Sequence, residues 1–116
     1  MSNVSEINLG ELQSRALRAS GLLKAMSNPV RLLVLCQLAE SEKSVGELES
    51  VVDVSQSALS QHLALLRSRG LVQFRRDGQT LYYSLAGREA ATLLAALYQI
   101  YCAGTKATRR RAPAAA

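Results

Sequence analysis

Apolar positions recur every three or four residues through the first two thirds of the chain, then every second residue, then every three or four again. Leu12, Ala16, Ala19, Leu23 and Met26 are spaced four, three, four and three apart. That spacing is one stripe of a helix, predicted from about Ser5 to Met26. Asn28-Pro29 opens the next helix: asparagine caps well, and proline suits the first helical position because its missing N–H has no partner there. The following VRLLVLCQLAE is apolar nearly all round, which predicts a buried central helix. Ser44-Val45-Gly46-Glu47 is a capping box that starts a short helix ending near Val52. Asp53-Val54 makes a tight turn, and Ser55 caps a further helix with Leu59, Leu63 and Leu66 on one face. Gly70 is its expected left-handed stop, with Leu71 as the hydrophobic contact beyond it.

From Val72 the period is two. Val72 and Phe74 alternate with Gln73 and Arg75; Leu81, Tyr83 and Leu85 alternate with Tyr82 and Ser84. Asp77-Gly78 between the runs predicts a hairpin. A last helix is predicted over about Arg88 to Cys102, with Leu93, Leu97 and Ile100 on one side. The expected fold is mainly α with a small β-hairpin, in the order α-α-α-α-β-β-α.

Two short helices joined by a tight turn, the second with a polar first turn, make a helix-turn-helix. Its second helix fits the DNA major groove with its N-terminal residues at base edges. Those residues are Ser55, Gln56, Ser57, Ser60, Gln61 and His62. Glutamine pairs with adenine N6 and N7, and serine bonds base edges or phosphate. A solvated helix cap accounts for Ser55 alone.

Charge agrees with this reading. The 116 residues carry a formal net charge of +5, and no acidic residue lies between Asp53 and Asp77. Arg67, Arg69, Arg75 and Arg76 fall in that interval. The hairpin tip RRDGQ would hold Arg75 and Arg76 beside the duplex, and Arg67 adds to the basic surface.

The remaining composition narrows the setting. At 48% hydrophobic the chain can bury a core, and its length favours one domain, residues 1–104. Residues 105–116, basic and then Ala/Pro-rich, read as a disordered tail. There is no apolar run long enough to span a bilayer and no secretory signal at the N-terminus, so the expectation is a cytoplasmic protein without a membrane partner. Two cysteines in a reducing compartment are expected to be thiols.

VGELESVVDVSQSALSQHLALLRSRGLVQFRRDGQTLYYSL resembles the helix-turn-helix and wing of the ArsR family of bacterial repressors, and NPVRLLVLCQLAE resembles that family's preceding helix. The resemblance runs from Lys24 to Cys102. It implies a winged helix, a homodimer built on the first and last helices, binding to double-stranded operator DNA, and release on sensing an inducer. A Cys/His pair can do nucleophilic catalysis, but His62 is assigned to the DNA face and no oxyanion or phosphate loop accompanies it, so no enzymatic activity and no cofactor are expected. Terminal helices with Ala/Leu stripes, which lack an obvious partner inside one small domain, also fit a two-fold helical interface.

The sensed species is approached by elimination and by resemblance. A soft-metal site needs three or four clustered thiolates or imidazoles. The family's Cys-x-Cys is replaced by Ser44 and Gly46, and the last helix has no histidine and only Glu89, so no metal site is expected. By itself Cys36 reads as a buried thiol acting as a small hydrophobe. Cys36 and Cys102 together resemble the dithiol subgroup of the family. That resemblance implies a redox-sensing pair joined by a disulfide, or by a bridge with extra sulfur, on reaction with a persulfide, sulfide-derived or other sulfane-sulfur inducer. The alternatives are an oxidant acting on the same dithiol, or a metal-responsive or non-inducible regulator of the same family.

Overall fold

The computed structural model describes residues 8–103. The expected tail at 105–116 and the expected start of the first helix near Ser5 lie outside the described residues. Helix α1, Leu9–Met26, begins behind Asn8, whose side chain accepts from the Glu11 N–H. Helix α2, Pro29–Glu40, is capped by Asn28, whose Oδ1 accepts from the N–H groups of Val30 and Arg31 at 2.9 and 3.0 Å. A two-residue strand β1, Lys43–Ser44, precedes α3, Val45–Glu49. Helix α4, Gln56–Ser68, leads into strands β2, Val72–Asp77, and β3, Thr80–Leu85. Helix α5, Glu89–Tyr98, runs on into a π-helical turn over Gln99–Ala103.

The local signals act as expected. The Ser44 hydroxyl accepts from the Glu47 N–H at 3.1 Å, and the Glu47 carboxylate accepts from the Ser44 N–H at 2.8 Å. At the end of α4, the Gly70 N–H donates to the Arg67 carbonyl and the Leu71 N–H to the Leu66 carbonyl, at 2.9 and 3.0 Å. This is a Schellman stop, and it needs the left-handed φ of 74° that Gly70 supplies. The hairpin loop is Gly78-Gln79, one residue later than the expected Asp77-Gly78, because Asp77 still pairs with Thr80.

The expected single hairpin is a three-stranded antiparallel sheet in the order β1-β3-β2. Strand β1 pairs Lys43 with Tyr83 and Ser44 with Tyr82. It is too short to show a period in sequence. Its effect is to tie the hairpin to the α2–α3 connection, which matters because a two-stranded hairpin alone is only marginally stable.

The core gathers Val34, Leu35 and Leu38 of α2, Leu48 of α3, Leu59, Leu63 and Leu66 of α4, Val72 and Tyr83 of the sheet, and Ala90 and Leu94 of α5. Two expectations change here. The stripe on α1 is buried only at its last position, Met26, next to the buried Ala25; Leu12 and Leu23 are exposed. Helix α2 is buried on one face only, and Leu33 and Cys36 lie on its exposed side. An open groove of about 590 Å³ between α1 and α5 is lined by Ala19, Leu22, Leu23, Leu93 and Ala96 among others. Among the described residues, no helix is long and apolar enough to cross a membrane.

The capping box and the core leucine of α3 make unequal contributions. Ser44→Ala is expected to cost about 0.5–2 kcal/mol, the usual range for a lost N-cap. Leu48→Ala, which empties a fully buried site, is expected to cost about 2–5 kcal/mol. Urea unfolding at fixed protein concentration checks both; equal costs would mean that α3 is held by its cap and not by its packing.

Candidate nucleic-acid interface and thiol pair

Leu59, Leu63 and Leu66 lie at positions four and three apart and are all but completely buried. Burying that stripe turns the rest of α4 outward. Ser55, Gln56, Ser57, Ser60, Gln61 and Arg67 are exposed. Gln56, Ser57, Ser60 and Gln61 therefore share the outward side at the N-terminal end of the helix. The Ser55 hydroxyl is occupied locally: it accepts from the Ala58 N–H at 3.1 Å and lies 3.3 Å from the Ser57 hydroxyl.

His62 sits differently from the glutamines. It is half-buried, and its Nδ1 lies 3.4 Å from an Arg31 guanidinium nitrogen. The same guanidinium donates from Nε to the Ala25 carbonyl at 2.6 Å and from a terminal nitrogen to the Lys24 carbonyl at 3.3 Å. A cation at the end of α1 meets carbonyls that the helix leaves unsatisfied. Arg31 thus joins α1, α2 and α4 behind the polar turn.

The hairpin has two unlike faces. Val72 and Phe74 of β2 pair with Leu85 and Tyr83 of β3 on the inner face, and the Phe74 and Tyr83 rings lie 5.5 Å apart. The Arg67 guanidinium of α4 stacks 4.6 Å from the Phe74 ring centre, so this face meets the outward helix. Strand alternation puts Arg76 on the same face and Arg75 on the other. On the outer face the Arg75 guanidinium lies 4.6 Å from the Tyr82 ring centre. It donates to both carboxylate oxygens of Glu42, at 2.8 and 2.9 Å. Those hydrogen bonds hold the Glu42 carboxyl below its ordinary pKa and push Arg75 above its own. An acid from outside the acid-free interval thus returns to the basic surface. Arg75 and Arg76, neighbours in sequence, have different surroundings.

The two thiols lie at the surface. Cys36 and Cys102 are both exposed and unbridged. Shielding of the Cys36 sulfur pushes its pKa above the ordinary value, and the charge of Cys102 and then of Glu40 pushes it the same way. Cys36 on α2 and Cys102 in the π-helical turn thus influence one another through their charge. Tyr98 and Tyr101, which precede Cys102 in the chain, are exposed. Among the described residues, no three His, Cys, Asp or Glu side chains form a group suited to hold a metal ion.

Residues 28–73 match the family described as bacterial regulatory protein, arsR family. The chain is 48% identical over 96 residues to the transcriptional activator HlyU of Vibrio cholerae, spanning 83% of this chain and 89% of that protein. It is 45% identical over 101 residues to the biofilm growth-associated repressor of Agrobacterium fabrum, spanning 87% of this chain and 86% of that one. The solved structure of reduced HlyU from Vibrio cholerae superposes with a TM-score of 0.78 at 48% identity, covering 81% of this chain and 99% of that one.

If one thiolate disfavours the other, removing it eases ionisation of the partner. Cys102→Ser is therefore expected to lower the pKa of Cys36 towards, though not fully to, the ordinary thiol value, since shielding remains. The pH dependence of Cys36 alkylation, followed by mass spectrometry, checks this. An unchanged midpoint would separate the two sulfurs.

Proposed function

The chain belongs to the ArsR family of bacterial regulatory proteins, a family of DNA-binding transcriptional regulators that are not enzymes, and from that premise we propose an operator-binding repressor switched by Cys36 and Cys102. The DNA reading is carried by one arrangement: an exposed Gln56, Ser57, Ser60 and Gln61 on a helix whose opposite stripe is buried. Gln56 and Gln61 read base edges in the major groove; Ser55, Ser57 and Ser60 bond base edges or phosphate, with His62 behind them. Arg67 and the basic hairpin tip at Arg76 supply phosphate contacts and the salt dependence that accompanies them.

The functional unit is a homodimer. Leu12, Leu17 and Leu23 on α1, with Tyr98, Ile100 and Tyr101 at the end of α5, expose an apolar surface next to the α1–α5 groove. A second copy seated there buries this surface by a two-fold contact. Two reading helices then lie one helical turn apart, about 34–36 Å on B-DNA.

Sensing is a thiol exchange. The thiolate of one cysteine attacks the terminal sulfur of an organic persulfide, forming a protein persulfide and releasing the organic thiol. The second cysteine's thiolate attacks the protein-bound sulfur, closes a disulfide and expels hydrosulfide. The two protein thiols are oxidised by two electrons and the persulfide is reduced by two, yielding one thiol and one hydrogen sulfide. Extra sulfur atoms in the bridge relax the distance that a direct disulfide demands. The exposure of both thiols and the charge coupling of Cys36 to Cys102 support this reading.

The bridge has an unequal pair of anchors. Next to Cys36, Leu35 is fully buried, so α2 cannot shift without disturbing the core under α4. Next to Cys102, Ile100 and Tyr101 are exposed in a π-helical turn. Closure therefore displaces the end of α5, which belongs to the dimer face. The spacing of the reading helices changes there, and DNA affinity falls.

Gln56→Ala and Gln61→Ala are each expected to lose about 1–3 kcal/mol of operator discrimination, measured by competition gel shift against unrelated duplex. Unchanged discrimination in both would remove α4 from base reading. Cys36→Ser and Cys102→Ser are expected to bind the operator like the parent and to stay bound after organic persulfide. Normal release by either variant would sink the dithiol switch. The mass of the bridged parent, with loss of two hydrogens alone or with added sulfur, separates a direct disulfide from a bridge that retains sulfur of the persulfide.

A further inference from the structure

We propose that Glu42 is a positioning residue of the wing: across Tyr82 it holds Arg75 away from DNA, and Arg76 is the hairpin's phosphate-binding cation. This inference rests on the reading of α4 and the hairpin as a DNA-binding surface, and it divides two adjacent arginines that the sequence presents as equals.

Three observations place Arg75 outside the interface. Its side chain leaves the sheet on the face opposite Phe74, whereas α4 meets the hairpin on the Phe74 face through Arg67. Its guanidinium lies over Tyr82, the residue opposite it in register. Its donors close on both oxygens of Glu42. A carboxylate engages the same planar fork that a phosphate would, so the donors that would meet DNA are already satisfied. The pair also cancels the charge of Arg75, so binding releases no counterion on its account.

Three observations place Glu42 in control of the wing. It directly precedes β1, whose Ser44 and Lys43 pair with Tyr82 and Tyr83 in the central strand. Glu42 and Arg75 are 33 residues apart, so their contact joins the α2–α3 connection to β2 across the whole sheet. Both side chains are largely solvent-accessible, and exposed pairs contribute little to stability. The consequence is orientation: the hairpin, tied at its outer face, keeps its inner face and Arg76 on the side where Arg67 of α4 meets Phe74.

Operator affinity measured against salt concentration tests this with four variants. In Glu42→Arg/Arg75→Glu the pair re-forms with its poles exchanged. That variant is expected to bind within about threefold of the parent with the same salt slope, far better than Arg75→Glu alone. In Glu42→Gln/Arg75→Gln, which conserves net charge, affinity falls and the slope stays. Arg76→Ala is expected to reduce the slope by about 0.9 per chain. The proposal is overturned if the exchanged variant binds as poorly as Arg75→Glu, or if the Gln/Gln variant loses about 0.9 of slope per chain, since Arg75 would then touch phosphate. It is equally overturned if Arg76→Ala keeps the parent slope while Gln56 and Gln61 still discriminate operator. Failure of the DNA reading itself looks different: neither the glutamine nor the arginine variants would change binding at all.

Discussion

Burial of three leucines on one side of α4 governs the rest of the molecule. Leu59, Leu63 and Leu66 are all but sealed from water, and each contributes roughly 1.5–3 kcal/mol by leaving it. Against a net stability of about 5–15 kcal/mol for a whole domain, their joint burial admits one rotational setting of the helix. Rotating α4 far enough to hide Gln56 and Gln61 would expose all three. The same packing that stabilises the fold therefore presents the polar turn, and no separate force is needed to aim it.

The helices that do not share this constraint behave differently. On α1, only Met26 of the apolar stripe and its neighbour Ala25 are sealed, and the end of α5 leaves Tyr98, Ile100 and Tyr101 exposed. These elements are the adjustable part of the molecule, whereas α2, α3, α4 and β3 form the fixed part. Cys36 belongs to the fixed part and Cys102 to the adjustable one. In the proposed switch, a covalent bond between these two anchors acts on the end of α5, at the proposed dimer face. In this scheme a small chemical event is read out by geometry without perturbing the reading helices' own packing.

Electrostatics adds selectivity to a surface that sequence charge alone describes too simply. The acid-free interval from Asp53 to Asp77 promises a uniformly basic face. Folding returns Glu42 to it and spends Arg75 on an internal fork. Arg67 is likewise oriented, flat against Phe74. The net positive charge survives, but its carriers are sorted into cations that fix the wing and cations that face outward.

Much of this was legible without coordinates because it depends on neighbours in the chain. The Asn28 cap, the Ser44/Glu47 box, the Ser55 cap and the Gly70 stop join residues two to five apart. The periods of the leucine stripe and the hairpin are equally local, and they determined the element order and the outward face of α4. Strand β1, with two residues, is shorter than any period and becomes visible only when β3 pairs with it. The Glu42–Arg75 fork spans 33 residues, so nothing in either segment announces the other. An all-apolar helix such as α2 leaves open which side is buried; packing against α4 and β3 chose Val34, Leu35 and Leu38 and left Cys36 outside. Sequence by itself determined the elements, their caps and the polar turn, because those follow from contacts within a few residues. Tertiary structure alone decided which arginine is bound, which helix faces stay bare and that Cys36 lies at the surface, because each depends on segments brought together only when the core closes.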